Sequence, residues 1–82
     1  MSKLNANEIT ELGLYMEHLD ATQDRHLVLI QKITGNKITM KDYGDEKLMS
    51  YKINYLNSYT YEFIGPLESF DSMPNIYPEY IL

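Results

Sequence analysis

The sequence predicts a mainly β chain, a small barrel-like sheet of about five short strands. Three observations predict it. Apolar and polar residues alternate over 37–42 and again over 47–55. Turn signals, Gly35-Asn36 and Tyr43-Gly44-Asp45, separate the β-rich runs at short intervals. Leu27-Val28-Leu29-Ile30 is apolar on both faces, which suits a central strand of a closed or strongly bent sheet.

The elements follow in order. Asn7-Glu8-Ile9-Thr10-Glu11-Leu12 reads as one helical turn, with Asn7 as its cap and acidic residues in its first turn. Gly13 interrupts it, and Leu14–Leu19 reads as the first strand. A continuous helix over 7–19 is the competing reading, with Gly13 costing it about 1 kcal/mol relative to Ala. Asp20–Arg25 is a polar loop. His26–Ile33 is the second strand, and Thr34-Gly35-Asn36 turns the chain into a third, Lys37–Asp42. There Ile38 and Met40 face one side, and Lys37, Thr39 and Lys41 the other. After the Asp42–Asp45 turn, Lys47–Tyr55 alternates again, with Met49, Tyr51, Ile53 and Tyr55 on one face. Leu56-Asn57-Ser58 breaks it. Tyr59–Ile64 is the last strand, stopped at Gly65-Pro66 because proline lacks the N–H that a sheet interior needs.

The chain of 82 residues has room for one domain, 1–82, divided into a barrel over 13–67 and a tail over 68–82. Hydrophobic residues at 44% and charged residues at 23% are an ordinary globular balance and argue against wholesale disorder. The absence of cysteine excludes disulfides and Cys-based zinc sites. A formal charge of −5 disfavours direct nucleic-acid binding, which rests on dense Lys/Arg contacts to phosphates. No run approaches a membrane helix and the N-terminal residues form no apolar leader core, so the expectation is a cytoplasmic protein without membrane contact.

From Gly13 to Leu67 the pattern resembles an SH3-like small β-barrel. The matching features are a first strand after Gly13, a polar loop, the Leu27–Ile33/Lys37–Asp42 hairpin, the Tyr43-Gly44 turn and the break at Leu56-Asn57-Ser58 before Tyr61-Glu62-Phe63-Ile64. The ending Phe63-Ile64-Gly65-Pro66-Leu67 resembles short phage and prophage accessory proteins. The resemblance implies an accessory role such as inhibition of a host defence protein. The Trp pair and acidic loop of proline-peptide-binding SH3 domains are absent, so that recognition is not implied.

Tyrosine is the most unusual feature, with eight Tyr and no Trp. Tyr supplies large contact area at low entropic cost and is enriched at interfaces. Tyr51 and Tyr61 are expected to fill core, and Tyr55, Tyr59, Tyr77, Tyr80 and Leu82 to form a partner-binding surface. Ile76, Tyr77, Tyr80, Ile81 and Leu82 make the tail strongly apolar, so the barrel's flank, a second copy or a foreign partner should cover it. A homo-oligomer fits this pattern.

The main expectation is therefore a non-enzymatic interaction module that occludes a protein surface. The alternative is an oligomer that sequesters a nucleotide-type ligand between subunits. Lys32, Thr39, Lys41, Ser50 and Lys52, outward on neighbouring strands, would hold its phosphate. His18, Asp20, Asp24 and His26 flank one loop but match no metal-ligand spacing. No catalytic motif is present, and no metal, cofactor or catalytic residue is expected. Asp42, Asp45 and Glu46 read as a solvated acidic turn.

Overall fold

The computed structural model describes residues 3–19 and 21–71. Six strands run in the order β1 (Leu4–Asn5), β2 (Gly13–Leu19), β3 (Asp24–Thr34), β4 (Lys37–Asp42), β5 (Met49–Lys52) and β6 (Tyr59–Pro66). They form one antiparallel sheet, ordered β1-β6-β2-β3-β4-β5 and curled into a half-barrel. Among the described residues, β1 and β5 each have a sheet partner on one side only.

Strand parity builds the core. On β2, Tyr15 faces inward beside Val28 of β3 and Phe63 of β6, and Glu17 faces inward beside His26 and Tyr61. Tyr15, Tyr61, Val28, Ile30, Ile38, Met40 and Leu56 are buried together, joined by Ala6 and Ile9 from the N-terminal segment. Tyr15 meets Tyr61 and Phe63 edge to face, at ring separations of 6.4 and 5.3 Å. Each phenol must place its hydroxyl. Tyr15 donates to the Glu11 carbonyl at 2.6 Å, and Tyr61 donates to Glu17 Oε2 at 2.5 Å. Leu14 and Leu29 lie on the opposite face of the sheet and are also buried. The helical turn α1 (Glu68–Asp71) lies against β2 and β6.

Two irregularities curl the sheet. The β2–β6 register shifts at Leu14/Tyr15, and the β3–β4 register shifts between Ile30 and Lys32. Such bulges increase local twist. The second also reverses parity along β3. Ile30 faces inward before it; after it, Ile33 pairs with Ile38 and faces inward, while Lys32 turns outward beside Thr39.

Four expectations from sequence need correction. The strands number six, because Leu4–Asn5 adds a two-residue edge strand to β6. Asn5, not Asn7, starts the N-terminal turn, a 3-10 turn over Ala6–Glu8, where the Glu8 carboxylate accepts from Asn5 N–H at 2.8 Å. The fourth long strand is shorter than 47–55. It ends at Lys52, and Ile53–Leu56 winds into a second 3-10 turn, pinned where Ile53 N–H donates to the Asn36 carbonyl at 2.7 Å. The last strand continues through Gly65 to Pro66, where proline ends the pairing rather than preceding it. The competing helix over 7–19 does not form, since Gly13–Leu19 is strand. Among the described residues no helix is long and apolar enough to cross a membrane.

Candidate functional site

At the mouth of the half-barrel, β2, β4, β5 and the second 3-10 turn enclose a cavity of about 190 Å³. Tyr51, Tyr55 and Tyr59 form its aromatic wall, Val28, Met40 and Leu56 its apolar floor, and Glu17, Asp42 and Asp45 its acidic side. Lys41 and Lys47 also border it.

The local sequence explains the wall. Tyr51 is the inward residue opposite Ile38. Because the chain winds into a 3-10 turn after Lys52, Tyr55 returns over Tyr51 instead of continuing along a strand. The two rings stack at 5.7 Å with planes 5° apart. Tyr55 remains 68% exposed, and Met49, which borders the same cavity, is 41% exposed. Two large side chains thus stand in solvent at one opening, next to the side of β5 that has no partner among the described residues.

Glu17 is the half-buried acid of the site. It occupies an inward position between Tyr15 and Leu19 on β2, so burial pushes its carboxyl above the ordinary value. The Tyr61 hydrogen bond and the His26 charge pull it back, and Asp42 adds to the rise. Burial, then the bond to Glu17, pushes the Tyr61 phenol up; Tyr61 therefore remains a neutral donor. Burial first, and then the charges of Glu17 and Asp42, also raise Tyr51.

This has a testable pH consequence. A carboxyl with a raised folded-state value binds its proton more tightly folded than unfolded. Its contribution to stability is fullest below the unfolded value and declines as pH rises toward the folded one. Glu17→Gln keeps an oxygen to accept from Tyr61 and removes the ionisation. Urea denaturation should show this variant gaining on the wild type as pH rises from about 4 toward neutral. A constant difference across that range would show that Glu17 ionises as freely folded as unfolded.

The sequence-expected partner residues divide. Tyr55 and Tyr59 both border the cavity. Tyr77, Tyr80 and Leu82 lie outside the described residues. Tyr61 is core, as expected, and Tyr51 is half-buried core edge. Asp42, Asp45 and Glu46 are exposed, as a solvated acidic turn requires, and Asp42 and Asp45 also border the cavity. Asp45 also folds its own loop, its Oδ1 accepting from Glu46 N–H at 2.7 Å. His18 and His26 sit on opposite faces of the sheet, His18 paired with Arg25 and 3.5 Å from Glu62, His26 paired with Glu17. The grouping around that loop therefore does not assemble among the described residues; Asp20 lies outside them.

The phosphate-type set converges in part. Lys32, Thr39 and Ser50 lie in one cross-strand row on the outer face, with Thr39 Oγ1 and Ser50 Oγ 2.7 Å apart. Lys52 lies in the next row, opposite Lys37. Lys41 departs from the group. Outward like them by register, it sits one row beyond Thr39 on β4, opposite Leu29, and borders the cavity as well.

Sequence reasoning missed Glu17 and Lys37. The signal for Glu17 is its phase: an acidic residue two positions from Tyr15 on the same strand. Comparison with protein-family models, with curated proteins and with solved structures finds no match.

Proposed function

We propose that the chain is a non-enzymatic interaction module that binds a protein partner through the tyrosine-lined mouth and blocks it by covering its surface. The observation that carries this reading is the pair of exposed side chains, Met49 and Tyr55, at the rim of the cavity, beside a sheet edge that has no partner among the described residues. Aromatic and methionine side chains are the usual anchors of an interface, and a strand open on one side offers main-chain hydrogen bonds to an extended segment. The stacked Tyr51–Tyr55 pair is held before any partner arrives, so little side-chain entropy remains to be lost on binding.

The strand order around the long, bent β3 and the 3-10 turn between β5 and β6 support an SH3-like reading of the barrel. With the phage-like ending, the form proposed is a phage-encoded inhibitor of a host defence protein, acting in the cytoplasm.

The test is a double substitution, Met49→Ala with Tyr55→Ala. Both side chains are exposed, so the fold should survive, with urea stability within about 1 kcal/mol of wild type. Capture of the partner from host lysate should fall below detection. Capture undiminished by this variant would place the binding surface elsewhere. Native mass spectrometry of the purified protein reads self-association in the same samples.

A further inference from the structure

The outer face of β3, β4 and β5 carries a second feature, independent of the tyrosine mouth. Outward positions on these strands are Arg25, Leu27, Leu29, Lys32 and Thr34 on β3, Lys37, Thr39 and Lys41 on β4, and Ser50 and Lys52 on β5. None is Asp or Glu, although acids outnumber bases twelve to seven in the chain. Four of the seven Lys and Arg residues are lysines on this one face.

Register sets the arrangement. One row holds Lys32, Thr39 and Ser50; the next holds Thr34, Lys37 and Lys52. Cross-strand neighbours stand about 5 Å apart and successive rows about 7 Å apart. By register three lysines thus flank a hydroxyl pair, Thr39 and Ser50, already hydrogen-bonded to each other. Lys32, Lys37 and Lys52 are exposed, and none forms an ion pair with a described residue.

Lys37 and Lys52 are the informative pair. They are directly opposite each other on adjacent strands. Like charges in that position destabilise a sheet. One carboxylate nearby would relieve the repulsion, and the face has none at its outward positions. The bulge between Ile30 and Lys32 adds a third lysine to the same patch, where an unbroken strand would have turned Lys32 inward.

We propose that this face is a binding site for the phosphate group of a small ligand, held by Lys32, Lys37 and Lys52 with the Thr39 and Ser50 hydroxyls. Ammonium and hydroxyl donors converging on one point suit a compact multiply charged anion. The patch covers two rows of three strands, too short for the long basic track of nucleic-acid binding, and the chain's net charge of −5 repels an extended polyanion.

The experiment is an NMR titration of the full chain with pyrophosphate at low and at physiological salt. Amide shifts should concentrate at Lys37, Thr39, Ser50 and Lys52 and saturate. Lys37→Gln with Lys52→Gln should weaken pyrophosphate at least ten-fold, and, by removing the like-charge pair, should raise the melting temperature of the free protein. Lys3→Gln, outside both the patch and the mouth, should leave the affinity unchanged. Shifts spread equally over Lys3, Lys47 and the patch would overturn the proposal, as would unchanged affinity in the double variant. Tighter binding of a single-stranded oligonucleotide than of pyrophosphate at physiological salt would overturn it in favour of a nucleic-acid surface.

Discussion

Replacing Tyr61 with Ala is expected to leave most of the protein unfolded at room temperature. Tyr61 is fully buried at the centre of β6, packed edge to face on Tyr15 and bonded to Glu17. Truncating a buried aromatic residue costs about 3–5 kcal/mol. The same change strips the half-buried Glu17 carboxylate of a donor, a further penalty of about 1–3 kcal/mol. Small domains carry only about 5–15 kcal/mol in total, and one this short sits toward the lower end. Tyr61→Phe separates the two terms. It keeps the ring and loses the hydroxyl, so it should cost about 1–3 kcal/mol and push the Glu17 carboxyl higher still. Circular dichroism with urea denaturation measures both. A cooperative transition in Tyr61→Ala with less than about 2 kcal/mol lost would mean that the two rings do not anchor the core.

The Glu17–Tyr61 pair also shows where sequence reading reached and where it stopped. Short-range signals carried through: Gly35-Asn36 makes the hairpin, Ile38 and Met40 face the core, and Leu27–Ile30 forms the strand at the sheet's centre. Those features depend on local alternation and turn chemistry, which a sequence displays directly. What depends on register between distant strands did not carry through. Glu17 meets Tyr61 only because β6 returns beside β2, 44 positions later in the chain. Tyr55 stacks on Tyr51 only because the chain leaves the strand at Lys52, and the alternation over 47–55 gives no sign of that exit. The same limit applies to the lysine face. Lys32 is outward, as expected from sequence together with Thr39, Lys41, Ser50 and Lys52, but the bulge that puts it there is not displayed by alternation. Whether both surfaces serve one partner is a question of the sheet's geometry, because they lie on its opposite faces and both reach β5.

Gly13→Ala should cost nearly as much as any core truncation, for a reason unrelated to burial of apolar area. In the sequence Gly13 reads as a helix interruption; in the fold it is a point where the backbone of β6 leaves no room for a side chain on β2. A Cβ built there would lie 2.1 Å from the Gly65 carbonyl oxygen and 3.1 Å from the Phe63 ring. The first obstacle is backbone, so no rotamer change relieves it; β6 itself must move. β2 lies between β6 and β3, and it alone joins the β1–β6 pair to the rest of the sheet. Displacing β6 there disturbs the ladder next to the existing register shift at Leu14/Tyr15 and loosens Phe63 against Tyr15. Overpacking of this kind costs about 3 kcal/mol, with the backbone shift adding to it. Gly35→Ala is the matched control. Gly35 has φ of 58° with nothing within 4 Å of a built Cβ, so Ala there meets only the left-handed conformational cost, about 1 kcal/mol. Amide hydrogen exchange distinguishes the two. Gly13→Ala should accelerate exchange along β6 and β2 first, whereas Gly35→Ala should affect only the β3–β4 turn. Equal, small losses in both variants would mean that β6 can shift away from β2 without breaking the ladder. In that event the junction between the two parts of the sheet would be compliant rather than close-packed.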